Sequence, residues 1–232
     1  MDPEEIRKTF LTNVDPVYRE FNTKIVVPGE HKVIGIRMPV IRKFAKEITK
    51  GDWKRYLNEI KDEYSEDLLL RGFIITHCKT SVEEKLMMFS EFIPLIDNWA
   101  VCDCVCTSLN VSKKNKDAVW NMILRFLNSD KEFEVRAAVV LMLAHFINDE
   151  YVDHVIAYSD RVAHHGYYVR MAVAWCLSVC FVKYPEKTME YLKNCNLDDT
   201  TFNKTISKIT DSRRVDDVLK ETVRKMRRRK AV

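Results

Sequence analysis

Apolar residues along this chain recur three and four positions apart, and almost never in strict alternation. The stretch PVIRKFAKEI (39–48) opens with a proline suited to a first helical turn. It places Val40, Ile41, Phe44, Ala45 and Ile48 on one stripe. VEEKLMMFSEFIPLI, AVWNMILRFL and VDDVLKETVRKM carry the same spacing, and RAAVVLMLAHF reads as a buried helix with His145 near its end. TKIVVPGEHKVIGIR (23–37) predicts a loop, with Pro28, Gly29 and Gly35 as breakers. The pattern predicts an all-α protein.

The helical segments also repeat. LLLRGFIIT, WAVCDCVCT, FEVRAAVVL, YYVRMAVAW and TFNKTISKI align on a central polar residue: Arg71, Asp103, Arg136, Arg170 and Lys204. The spacings are 32, 33, 34 and 34 residues, and Arg37 lies another 34 before Arg71. Slim residues follow the polar one in most units (Gly72, Cys104, Ala137, Ala172), which lets neighbouring helices approach. A period near 34 without tetratricopeptide or ankyrin signatures predicts HEAT-like helical repeats, about six helix pairs in a single curved α-solenoid domain over 1–232. The recurring polar residues should then form a row along one binding face.

Composition supports the helical reading, because 5 glycines and 6 prolines are few for 232 residues. The longest largely apolar run, 137–147, is too short to span a bilayer, so no membrane partner is expected. No cationic segment followed by an apolar one opens the chain, and the 7 cysteines read as free thiols in a reducing, cytoplasmic setting. Net charge is +4, but a basic C-terminal helix at about 213–230 holds nine Lys/Arg against three Asp/Glu, leaving the body at −2. Such an end suits a polyanion, or simply keeps a terminal helix solvated. It fits a single basic helical face up to Met226, beyond which fraying is expected.

Asp103 is the exception in the row, one carboxylate among cations. Either it pairs with Arg71 or Arg136 to fix helix register, or it has a chemical task. Trp99 stands four residues before it, on the same helix face. Cys102, Cys104 and Cys106 alternate, so on a helix their thiols diverge and cannot close on one metal ion. The adjacent His164 and His165 also point apart; no metal and no cofactor are expected. Trp175, five residues after Arg170, reads as core from periodicity alone. Tyr18 is placed either beside a cleft or against the first repeat.

GIRMPVIRKFAKEI (35–48), IDNWAVCD (96–103), EVRAAVV (134–140) and VRMAVAW (169–175) together resemble the AlkD-like DNA alkylation repair glycosylases, a HEAT-repeat family. The resemblance covers the chain from about Asp15 to its basic end. It implies that Asp103 is the catalytic carboxylate and that Trp99 and Trp175 line the cleft around the lesion's deoxyribose. It further implies that Arg136 contacts the DNA backbone, with Arg170 a second candidate. Ala100 stands where the family often carries Asp, and Ser178 where it often carries Arg.

The chemistry agrees with those roles. A purine alkylated at ring nitrogen 3 or 7 is already cationic, leaves as a neutral group and needs no general acid. Positive charge builds on the sugar instead, where a fixed carboxylate and aromatic faces stabilise it. The expected function is therefore a monomeric DNA glycosylase acting on duplex DNA with alkylated bases. The alternatives are a catalytically silent DNA-binding or scaffold protein of the same fold, and an adaptor for an acidic protein.

Overall fold

A computed structural model describes residues 2–26, 29–112 and 114–228. Among these residues every named element is a helix, in keeping with an α-solenoid of helical repeats; extended backbone is confined to isolated bridges, Val14 with Ile36 and Lys32 with Tyr64. The chain divides into two compact units, 1–122 and 123–232, with the boundary inside α8 (Lys116–Phe126).

Unit 1 holds α1 (Pro3–Leu11), α2 (Pro16–Ile25), α3 (Met38–Ile48), α4 (Trp53–Glu59), α5 (Ser65–His77), α6 (Val82–Phe92) and α7 (Trp99–Cys106). Prolines and acidic N-caps start α1 and α2: Asp2 accepts from the Glu4 amide and Asp15 from the Tyr18 amide. The predicted stripe of α3 is found, with Ile41, Ala45 and Ile48 buried. α5 is buried along almost its whole length between α3 and α7, and α6 backs it. Helix α2 extends to Ile25, three residues into the segment predicted as loop, and it buries none of its residues.

Gly72 allows α5 and α7 to meet. A Cβ there would lie 2.5 and 2.7 Å from the two methyls of Val105 and 3.0 Å from the Phe92 ring. Gly35, at φ 90°, turns the 33–36 segment back under α2, and the Arg19 Cβ would stand 2.5 Å from any side chain at that position. Residues 33–36 are buried, and the amides of 34–36 find one acceptor, the buried Glu66 carboxylate. It accepts from Ile34 (3.1 Å), Gly35 (2.8 Å) and Ile36 (3.3 Å). Next to it Asp67 accepts from the Glu63 and Tyr64 amides and pairs with Arg7 of α1.

Unit 2 holds α9 (Glu132–His145), α10 (Val152–Arg161), α11 (Tyr167–Lys183), α12 (Pro185–Lys193), α13 (Asp199–Asp211) and α14 (Asp217–Arg224). α11 lies between α9 and α13; α10, α12 and α14 form the backing layer. α9 is continuously buried from Val135 to Met142, as its sequence predicts. Helix α14 is shorter than the basic helix predicted over about 213–230, ending at Arg224, and of the residues beyond Met226, where fraying was expected, the two described, 227 and 228, are held by hydrogen bonds. Arg228 donates to the Leu197 carbonyl at 2.5 Å, sits 4.1 Å over the Phe202 ring, and its amide donates to Asn203 Oδ1. Arg229 and Lys230 of the basic end lie outside the described residues.

Gly72→Ala should cost about 1–3 kcal/mol by overpacking the α5–α7 contact. Gly51→Ala, whose Cβ would meet nothing nearer than the Ile48 carbonyl at 3.9 Å, should leave the urea midpoint unmoved; equal midpoints for the two variants would refute the close approach.

Candidate active site

Asn98 starts α7 by accepting the Val101 amide on its side chain at 3.0 Å, so Trp99 is the first helical residue and Asp103 stands one turn beyond. Both side chains are half-buried. The Trp99 indole N–H donates to the Ile25 carbonyl at 2.9 Å, which ties the ring to the end of α2. Asp103 is thus neither sealed in the core nor fully solvated. Its carboxylate acts electrostatically on the next residue, Cys104.

The start of α7 is clamped from the 29–32 segment. Asp97 accepts from the His31 amide (2.9 Å) and ring Nδ1 (2.8 Å) on one oxygen, and from the Asn98 amide group (2.8 Å) on the other. Burial opposes the Asp97 charge, but these hydrogen bonds outweigh it and hold the carboxyl below the ordinary range. Ser65 joins the network, donating to the His31 carbonyl and receiving from Asn98. The direction of the Trp99 ring is therefore fixed from two sides: its own indole bond and the clamp one residue upstream.

Tyr18 on α2 is half-buried beneath the Arg37 guanidinium, 5.0 Å from the ring centroid. Burial and the neighbouring Glu66 carboxylate push its phenol up, so it stays protonated. Arg42 of α3 was not singled out by the sequence. It lies 4.2 Å over the Phe73 ring, donates to Ser108 Oγ near the end of α7, and acts on Cys104 together with Asp103. The one signal it left was a cation placed beside the apolar stripe, next to Ile41. Burial pushes the Cys104 thiol up despite Arg42, as expected of a small filler rather than a nucleophile. All seven cysteines are free.

The remaining candidates lie in unit 2. Arg136, in the second turn of α9, is 5% exposed and donates to the Tyr168 carbonyl at 2.6 Å. It ties α9 to the start of α11 rather than standing open. Arg170 is 30% exposed, 3.6 Å from the Asp198 carboxylate. Trp175 is half-buried, where periodicity alone predicted core. Ser178, in the position where the resembling family often has Arg, is buried and donates to the Trp175 carbonyl at 2.7 Å.

The recurring polar row is not a line of free cations. Arg71 spends its guanidinium on Asp62 and on the Leu57 and Ile60 carbonyls, and Arg136 serves Tyr168. Arg37 and Lys204 are the exposed members, with Arg37 paired to Asp15. Among the described residues no group of three His, Cys, Asp or Glu side chains could hold a metal ion, and no helix is long and apolar enough to cross a membrane.

Trp99→Phe removes the indole donor while keeping an aromatic ring. A loss of about 0.5–1.5 kcal/mol in urea unfolding is expected; unchanged stability would show that the Ile25 contact holds nothing in place.

Two comparisons bear on these residues. A family model described as DNA alkylation repair enzyme matches residues 6–226. A search of curated proteins gives no match.

Proposed function

The chain belongs to the DNA alkylation repair enzyme family, and we propose that within it the chain acts as a DNA glycosylase releasing cationic 3- or 7-alkylpurines from duplex DNA. The observation that carries this reading is the half-buried Asp103, one helical turn beyond a tryptophan whose orientation is fixed by a backbone carbonyl. A carboxylate for stabilising a developing sugar cation must keep its charge, which full burial would oppose. It must also be held still, which free solvation would not achieve. Asp103 on the first turns of a capped helix meets both demands.

In this reading Asp103 is the electrostatic catalyst and can orient the attacking water. Trp99 presents an aromatic face to the sugar as positive charge grows there. No general acid is assigned, because the cationic base departs neutral. In unit 2, Trp175 is proposed to present a second aromatic face to the nucleic acid, and Arg136 and Arg170 to hold its backbone. Arg136 can offer a phosphate only the edge of its guanidinium, since the Tyr168 carbonyl engages Nη1 and little of the side chain is exposed. Arg170 has more to give.

The test is release of 7-methylguanine from methylated duplex. Asp103→Asn should lower the single-turnover rate by about 10²–10³, with duplex affinity retained. Tight duplex binding without release by the unaltered protein would assign it instead to a silent DNA-binding role.

A further inference from the structure

Unit 2 contains a cavity of about 290 Å³ bounded by the end of α10, the 162–165 connection, α11 and the start of α13. Its donors and acceptors are unequally used. Asp160 accepts from the Tyr191 hydroxyl and from both the amide and side chain of Asn196. Asp198 accepts from the Thr200 and Thr201 amides and the Thr201 hydroxyl. His164 is also engaged at both ring nitrogens, accepting from the Gly166 amide on Nδ1 and donating from Nε2 to the Asp130 carbonyl.

The cationic side chains are in the opposite condition. The Nε of Arg170 is buried and has no hydrogen-bond partner, and its one charge contact, Asp198, is 3.6 Å away. Arg161 and His165 line the same cavity, are exposed, and meet no hydrogen bond or ion pair among the described residues. A buried donor without an acceptor carries a desolvation cost that a bound acceptor relieves. Asp198, the acceptor nearest Arg170, already takes three hydrogen bonds, so an anion entering the cavity would meet unspent donors on Arg161, His165 and Arg170.

We propose that this cavity binds a phosphate group, with Arg161, His165 and Arg170 donating to its oxygens. Guanidinium forks match the geometry of phosphate oxygens. The volume lies below the roughly 300–1,000 Å³ of sites that enclose whole small molecules, so it suits a single group of a larger ligand or a small ion. The formal charges of the two arginines and two aspartates cancel. Selection therefore comes from unspent donors at short range, not from a broad positive field. The phosphate is either a phosphodiester of a nucleic-acid strand or a free phosphate ion; the strand source rests on the DNA-repair reading, while the site itself does not.

The experiment compares the unaltered protein with Arg161→Ala/His165→Ala, changed at two exposed positions so that folding is kept. Fluorescence anisotropy with an unmodified duplex and calorimetry with inorganic phosphate are the two readouts. If the site holds a strand phosphodiester, duplex affinity falls about tenfold at 0.1 M salt, and the slope of log K against log salt loses about 0.9 per contact removed. If it holds a free phosphate, duplex binding is unchanged and the calorimetric binding of inorganic phosphate disappears. If neither readout moves, the site is overturned. The duplex carries no lesion, so both readouts are independent of base release. Failure of the glycosylase reading would show in the Asp103→Asn comparison and leave these measurements standing.

Discussion

Buried backbone amides need acceptors, and in this protein carboxylates on adjacent helices supply them. The 33–36 segment is buried with its amides turned inward, and one carboxylate, Glu66 at the start of α5, takes three of them. Asp97 does the same for His31 ahead of α7, and Glu132 at the start of α9 accepts the Tyr168 amide at the start of α11. Without these acceptors the close packing permitted by Gly72 and its slim counterparts would trap unpaired N–H groups. The partners stand 30 to 66 residues apart in the chain, about one or two repeat lengths, so each contact fixes one repeat against another.

The candidate site inherits its rigidity from that scheme. Asp97 is clamped to His31, Asn98 caps the helix, Trp99 follows, and Asp103 comes one turn later. Asp97, Asn98 and Trp99 are therefore each placed by a bond belonging to the repeat architecture, and Asp103 takes its position from the helix they start. Preorganisation of this kind matters most for electrostatic catalysis, in which a charge that must reorient during reaction loses its advantage.

The helical repeats were legible in the sequence because burial writes itself as periodicity. The stripe of α3 and the apolar run of α9 needed only spacing; α9 is buried from Val135 to Met142, and on α3 Ile41, Ala45 and Ile48 are buried while Val40 and Phe44 are half-buried. The period near 34 picked out recurring polar positions but not their use, because an arginine looks the same in sequence whether it faces solvent or a neighbour's carbonyl. Arg71 is enclosed by the α4–α5 connection, which sits 9 to 14 residues away in the chain. Trp175 went the other way: on a helix surrounded by neighbours, periodicity does not mark which positions remain partly open. Arg42 and the His31–Asp97 clamp were silent because each depends on residues 66 apart meeting in space.

The balance of donors and acceptors then separates architecture from function more sharply than residue type does. Glu66, Asp67 and Arg71 are chemically suited to a site, yet their hydrogen bonds go to backbone groups and partners that the fold must satisfy. Removing any of them would disturb packing first and chemistry only through it. A guanidinium whose buried Nε lacks an acceptor is not explained by that architecture, and a half-buried carboxylate one turn beyond an oriented tryptophan stands where it can serve chemistry as well as packing. A buried donor left without an acceptor costs stability, so packing alone gives no reason for the Arg170 Nε. These are the physical reasons to look for substrate on α7 and α11 rather than along the whole polar row.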